Sequence, residues 1–331
     1  MYRVLVIGAG AVGQVYGHFM QRGGADVSFF VKEKYKTQCE QGFTLYRSRR
    51  RGLGNAEFFQ AEAIYTQYEE IAKQQFDHVW LAMSSNDLRG EWLSELKEAI
   101  GDTTLVMLQP DLEDRDYVLQ YFPESQLVYG IINFISYQTP LPDLPSHHPD
   151  ADKKGVAYLM LPMMSAEFSG NPDRLPAVME ALSLGRFPVK AQQNVPRIYA
   201  DRSAWMIPLV AMLELENWSF KRLMKSGSLE LAVDGAKQAL NVVAAKFHRP
   251  LNWTERGFSL LLVKVLLPLV RFLSPMDAES FVKFQFKKTA PQTRFILDHF
   301  IHQGEALGVN VLALKTLRAK LPDPNDMEQA A

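Results

Sequence analysis

Gly8, Gly10 and Gly13 are the residues of this chain whose types and spacing point most directly to chemistry. They stand in "VLVIGAGAVGQVYGHFM", Val4 to Met20, as G-x-G-x-x-G, directly after a run of apolar, β-branched residues. The first glycine permits a tight turn. The second lets the backbone approach a pyrophosphate, and the third lets a helix pack closely on its strand. The N-terminus of that helix then faces the anion. The implied ligand is a dinucleotide held by Gly8, Ala9, Gly10, Ala11, Val12 and Gly13. The end of the next strand selects among such cofactors. A site for NAD usually has an acid there, bonded to the ribose hydroxyl. Here "FFVKEK" puts Lys32 at the tip, which suits the 2′-phosphate of NADP, although Glu33 beside it suits a ribose.

These residues need a scaffold, and the chain is long enough to supply one. It has 331 residues, enough for two domains, and 47% hydrophobic residues, enough for two cores. "YRVLVI", "DVSFFVK", "DHVWLAM", "TTLVMLQ" and "QLVYGIINF" read as buried strands, with helical segments between them. That alternation implies an α/β, Rossmann-type, doubly wound parallel sheet. "RSRRRG" (Arg47 to Gly52) reads as a solvated hairpin tip, and Thr139 to Gly155 as an exposed Pro/Asp-rich loop. After "RFPVKAQQNVP" only helical periodicity remains, from Arg202 to Leu321. The expectation is therefore a dinucleotide-binding domain over residues 1–194 and an all-α domain for substrate and dimerisation over 195–331. The tail "LPDPNDMEQAA" is expected to fray.

Composition excludes some classes. A net charge of -1 argues against a nucleic-acid partner bound by charge neutralisation. One cysteine, Cys39, allows no intramolecular disulfide and fits a reducing cytoplasm. The N-terminus does not read as a signal peptide, because Arg3 is its only early cation and its apolar run breaks at Gly8. "FSLLLVKVLLPLVRFL", Phe258 to Leu273, is too short for a confident membrane span, and Lys264, Pro268 and Arg271 interrupt it. It reads as a helix buried within the α domain or against a second subunit. No metal spacing is present; His299 and His302 do not form one with carboxylates or Cys39.

"IGAGAVGQVYGHFMQRGGADVSFFVK", with Gly17 four residues after Gly13 and Lys32 closing the second strand, resembles the ketopantoate reductase (2-dehydropantoate 2-reductase) family. "RSAWM" and "GEALGV" extend the likeness faintly toward the end. The resemblance implies a Rossmann domain plus a helical domain, NADPH as hydride donor, a 2-oxo acid in the interdomain cleft, and often a homodimer. It also implies working residues, and here the chain departs. Ser84 stands where the family has a Lys near the cofactor. Gln109, Pro110 and Asp111 stand for Gln-Asn-Gly, whose Asn touches nicotinamide and substrate. Counting from Trp205, the family's general-acid Lys and its two Asn fall on Ile207, Ala211 and Leu215. The substrate-binding Ser and Glu fall on Ser280 and Gln292.

A ketone that receives hydride becomes an alkoxide and needs a proton, which Ile207 cannot give. Asp201, Arg202, Glu214, Glu216, Lys283, Lys287 and Arg294 are nearby charges, read mostly as solvated helix faces. The expected function is an NADP-dependent oxidoreductase acting on the carbonyl of a small 2-oxo acid or a related, more apolar substrate. The alternative is a dinucleotide-binding protein without turnover, a sensor or assembly partner.

Overall fold

The structure is a computed structural model that describes residues 1–49, 52–142, 144–160, 164–225, 227–273 and 278–322. It contains strands β1 (Arg3–Ile7), β2 (Asp26–Phe30), β3 (Phe43–Arg49), β4 (Gly52–Phe59), β5 (Ile64–Tyr65), β6 (His78–Leu81), β7 (Thr104–Met107), β8 (Leu127–Gly130), β9 (Phe134–Thr139), β10 (Gly155–Met160), β11 (Ala166–Gly170) and β12 (Val189–Ala191). The helices are α1 (Ala11–Arg22), α2 (Lys36–Glu40), α3 (Tyr68–Ile71), α4 (Trp92–Ile100), α5 (Asp114–Val118), α6 (Leu175–Leu184), α7 (Val195–Leu215), α8 (Phe220–Lys225), α9 (Ser228–Lys246), α10 (Trp253–Arg256), α11 (Leu260–Leu273), α12 (Ala278–Lys288), α13 (Ala290–Ala306) and α14 (Leu312–Lys320). The chain divides into two compact units. One holds Met1–Gln109 and Asp114–Pro196; the other holds Pro110–Glu113 and everything from Arg197.

The first unit is built on an eight-stranded sheet of order β12-β11-β8-β7-β6-β1-β2-β5. From β5 to β8 all pairs are parallel, while β11 runs antiparallel to β8. The central strands β6, β7 and β8 are buried along their whole length, which is why they read as unbroken apolar runs. The chain leaves β1 for β2 on one side and returns as β6 on the other. The point where the winding reverses therefore lies at β1, the strand that carries the glycine loop.

The sequence did not reveal a second sheet, of order β4-β3-β10-β9. It lies over α1, and Phe19 of that helix shares one core with Phe43, Leu45, Phe59, Val156 and Tyr158. This explains a helix buried continuously from Gly13 to Met20. The expected hairpin of "RSRRRG" is β3–β4, with residues 50 and 51 outside the described residues. The Thr139–Gly155 loop is not wholly exposed as expected. Asp150 is buried, accepts from the Leu53 N–H at 3.1 Å and pairs with Lys153 at 2.8 Å, so the loop is tied to the β4 end.

The second unit is helical, as its periodicity predicts. Its core gathers Ala204, Ile207, Ala211, Val233, Leu240, Phe300 and Leu314. Leu112, far away in sequence, belongs to the same core. On α11, Leu261, Val265 and Leu266 are exposed, so within this chain the helix is not fully buried as expected. Among the described residues no helix is long and apolar enough to cross a membrane. The tail expected to fray begins at Leu321, but Leu321 is buried in this core and the Pro322 carbonyl accepts from Arg294; residues 323–331 lie outside the described residues.

His78 gives this fold a pH dependence. It begins β6, is fully buried, and its Nδ1 accepts from the Trp80 indole N–H at 2.8 Å. Burial pushes the ring down from 6.5 to about 4. Between those values the unfolded chain binds a proton that the folded chain refuses, so stability falls as pH falls through that window. At about 1.4 kcal/mol for each unit, the loss is roughly 3 kcal/mol. Urea unfolding at pH 7 and pH 4.5 should show this loss, and His78→Gln should flatten it. An unchanged slope in the variant would contradict the assignment.

Candidate functional site

The site is built around the turn from β1 into α1. Gly8 has φ +99°, a backbone region that strongly favours glycine, and its N–H donates to the Phe30 carbonyl at 3.0 Å. A Cβ on Gly13 would stand 2.2 Å from the Gly8 carbonyl oxygen and 3.2 Å from the Ala82 Cβ. Only a glycine lets α1 lie this close to its strand and to the end of β6. Gly10 is different: a Cβ there would meet nothing within 4 Å, and the residue is exposed at the helix N-cap. Its backbone is open to an approaching group. Ala9, Ala11 and Val12 flank it half-buried. The first turn of α1 holds no acidic residue and Gly10 offers no side-chain cap. The buried Gln14 supports the loop, its Nε2 donating to the Ala9 carbonyl at 2.8 Å. This donor set, a bare helix N-terminus behind an exposed glycine backbone, fits the pyrophosphate of a dinucleotide.

Lys32 follows β2 and is exposed, in extended backbone at φ -63° and ψ 140°. Ser84 lies past β6 and its hydroxyl donates to Asp87. Gln109 lies past β7 and is buried. Its Nε2 donates to the carbonyls of Leu81 at 2.9 Å and Met83 at 3.0 Å, and its Oε1 accepts from the Leu108 N–H. That amide is occupied in joining the ends of β6 and β7, so its side chain positions the edge and offers no spare N–H to a cofactor.

In the helical unit, Ile207 and Ala211 are core residues, 4% and 0% exposed, on the buried face of α7, with Leu215 packed against the same core. Gln292 is half-buried on α13. Ser280 falls on α12, with its side chain outside the described residues. Two charges read as solvated are not: Arg294 is 3% exposed and forks onto Glu214 at 2.6 and 3.2 Å. Arg294 also donates to the carbonyls of Ala290 and Pro322, so it is a structural cation. Asp201 pairs with Arg249, which also binds Glu255 at 2.7 Å; burial pushes the Asp201 carboxyl up against the pull of Arg249. Lys283 is half-buried and Lys287 exposed on α12.

Sequence reasoning missed one cluster, because its partners are far apart in the chain. Pro110–Glu113 packs with the helices of the second unit. The Pro110 carbonyl accepts from Ser203 Oγ at 2.9 Å. Asp111 Oδ2 lies 2.6 Å from His299 Nδ1, and His299 Nε2 faces Glu113 Oε2 at 3.5 Å. Glu113 Oε1 is held by His302 and by Gln303 at 3.0 and 2.9 Å. Burial alone would raise the Glu113 carboxyl. The bonds from His302 and Gln303 and the nearby histidine charges outweigh it and hold the group below its usual range. In the first unit, Asp114 is buried between Ser85 Oγ at 2.7 Å and Arg89 at 2.9 Å. Among the described residues no group of three His, Cys, Asp or Glu is placed to hold a metal ion.

A sheet whose winding reverses at β1, with a glycine loop at that point, has the plan of a dinucleotide-binding fold, and a helical unit follows it in the chain. Residues 4–147 match the family model described as Ketopantoate reductase PanE/ApbA, and the resemblance carried by the glycine loop holds. The solved 2-dehydropantoate 2-reductase from Methylococcus capsulatus is 17% identical, with 99% of this chain and 97% of that chain covered and a TM-score of 0.71. The enzyme of the same name from Geobacter metallireducens GS-15 is 15% identical, with 99% and 100% covered and a TM-score of 0.71. A D-mandelate dehydrogenase solved with NADH and anilino(oxo)acetate is 12% identical, with 99% and 98% covered and a TM-score of 0.73. At these identities the likeness is one of fold. No significant match was found among curated protein sequences.

The two glycines should respond differently to one methyl group. Gly13→Ala forces a backbone contact apart, an overpacking cost of about 1–3 kcal/mol. Its melting temperature should fall by roughly 3–10 °C. Gly10→Ala places its Cβ in open space and should melt within about 2 °C of the parent. Equal melting temperatures for Gly13→Ala and the parent, by calorimetry, would remove the packing argument.

Proposed function

We propose that the chain is an NADP-dependent oxidoreductase that delivers hydride to the carbonyl of a small 2-oxo acid or a related, more apolar substrate. The observation that carries this reading is the glycine turn: an open Gly10 backbone, a Gly13 with no room for a Cβ, and an uncapped α1 N-terminus, all at the point where the sheet's winding reverses. When bound there, the cofactor would supply the hydride. Gly8 to Gly13 would hold its pyrophosphate, and Lys32, exposed at the end of β2, would face the 2′-phosphate. The first unit would thus bind the cofactor, and the helical unit would serve substrate and dimer contacts. Family resemblance and the bare Leu261, Val265 and Leu266 of α11 support a homodimer, since large exposed apolar patches are uncommon on monomers. The single, buried Cys39 supports a cytoplasmic setting.

The second reading, dinucleotide binding without turnover, has its own support. The place of the family's acid is taken by the buried, apolar Ile207, and that of the Asn by Pro110. One experiment separates the two: NADPH oxidation followed by absorbance against a panel of 2-oxo acids, ketones and imines. Turnover of any of them supports the enzyme. Ketopantoate itself should be reduced negligibly, and a kcat on it within the ordinary range of about 1–10³ per second would show that the residue matching is wrong. Nucleotide binding without oxidation of any panel member supports the second reading.

Cofactor choice has a separate test. A Lys–phosphate contact is charge-assisted and contributes about 1.5–3 kcal/mol, roughly 10- to 150-fold in affinity. NADPH should bind more tightly than NADH by such a factor, and Lys32→Glu should reverse the order. Equal affinities in the parent protein, measured by nucleotide fluorescence, would refute the NADP assignment.

A further inference from the structure

The loop that follows β6, from Ala82 to Gly90, is tied down by two side chains of α5. Asp114, with 2% of its side chain exposed, accepts from Ser85 Oγ at 2.7 Å and from the Arg89 guanidinium at 2.9 Å. Tyr117, three residues on, carries that guanidinium over its ring at 4.4 Å. Its hydroxyl accepts from the Gly90 N–H at 2.9 Å and lies 3.2 Å from the Gly90 carbonyl, to which it donates. Ser85 and Leu88 are fully buried, so the loop has a packed interior. All of these residues belong to the first unit.

The start of the same loop lies against the glycine turn. A Cβ on Gly8 would stand 3.1 Å from the Ala82 carbonyl oxygen and 3.8 Å from the Met83 nitrogen. The strand order then says which half of a dinucleotide the loop meets. The two mononucleotides of such a ligand lie on opposite sides of the point where the winding reverses. That point is β1, with β2 on one side and β6 on the other. With the adenosine ribose at the end of β2, beside Lys32, the nicotinamide half extends over the ends of β6 and β7. The loop after β6 is the wall of that half.

We propose that Asp114 and Tyr117 are positioning residues for the nicotinamide half of the cofactor, holding the loop from Ala82 to Gly90 in the shape that receives it. This rests on the dinucleotide reading above. Neither side chain leaves its partners or meets the cofactor. Their bonds restrict the loop before the ligand arrives, so binding does not have to order it. Loosening them lowers the fraction of molecules able to receive the nicotinamide, and the apparent affinity falls by that fraction. The adenosine half is held from the other side of β1 and does not depend on the loop.

The test uses the full chain, Asp114→Asn and Tyr117→Phe, with two probes titrated by calorimetry: NADPH, and adenosine 2′,5′-bisphosphate, which lacks the nicotinamide half. Asp114→Asn keeps the volume of the side chain and replaces charge-assisted bonds by neutral ones. It should weaken NADPH about tenfold or more and leave the bisphosphate within about threefold of the parent. Tyr117→Phe keeps the ring beside Arg89 and removes only the bonds to Gly90. It should shift NADPH in the same sense by about threefold or more, and it decides the matter if Asp114→Asn does not fold. A merely structural role would weaken both probes alike, or lower the melting temperature and move neither affinity. Either result overturns the assignment while the dinucleotide reading stands. A parent protein that binds neither probe overturns both.

Discussion

Everything proposed for this protein depends on the distance between α1 and β1. Where the helix leaves the strand, a Cβ on Gly13 would sit 2.2 Å from a backbone oxygen. No side chain fits, so the helix lies flush against the sheet and its N-terminus opens at the carboxyl edge. There the peptide dipoles of α1 and the exposed backbone of Gly10 favour an anion. The sheet holds this geometry from both sides. Gly8 is bonded to the end of β2 and abuts the end of β6, and Gln109 ties β6 to β7. The second sheet covers the far side of α1 with the aromatic core around Phe19 and Tyr158. The turn is therefore buried behind and open in front.

The helical unit shows a different logic. Ile207 and Ala211, on which the resemblance led one to expect polar working groups, belong to a close-packed interior with Val233, Leu240 and Phe300. An ionised lysine placed there would carry a large desolvation cost. Buried or half-buried polar groups of the unit gather elsewhere: at Asp201, Arg249 and Glu255, at Glu214 and Arg294, and where α13 meets Pro110–Glu113. Leu112 anchors that short segment in the apolar core, and its neighbours Asp111 and Glu113 meet His299 and His302. One buried leucine thus holds two carboxylates against two histidines.

Much of this was legible in the sequence, and the reason differs by element. The glycine loop and β1, β2, β6, β7 and β8 announce themselves locally, by glycine spacing and by apolar runs that a strand buried on both faces must have. The α-helical character of the second unit follows from periodicity in the same way. The second sheet was not legible as a sheet. β10 pairs with β3 more than a hundred residues earlier, and no local pattern encodes that partner. The Asp111–His299 pair, 188 residues apart, was hidden for the same reason. Arg294 and Glu214 read as surface charges because a buried ion pair has no sequence signature of its own; only their mutual burial reveals it.

Backbone hydrogen exchange, with and without NADPH, reads the central claim most directly, because it reports on the amides of the turn without requiring turnover. The account requires slowed exchange in peptides covering residues 8–14, the turn and the first part of α1, and in those that follow β2 around Lys32. A saturated NADPH complex whose protection lies elsewhere, with the Gly8–Gln14 amides unchanged, would contradict it.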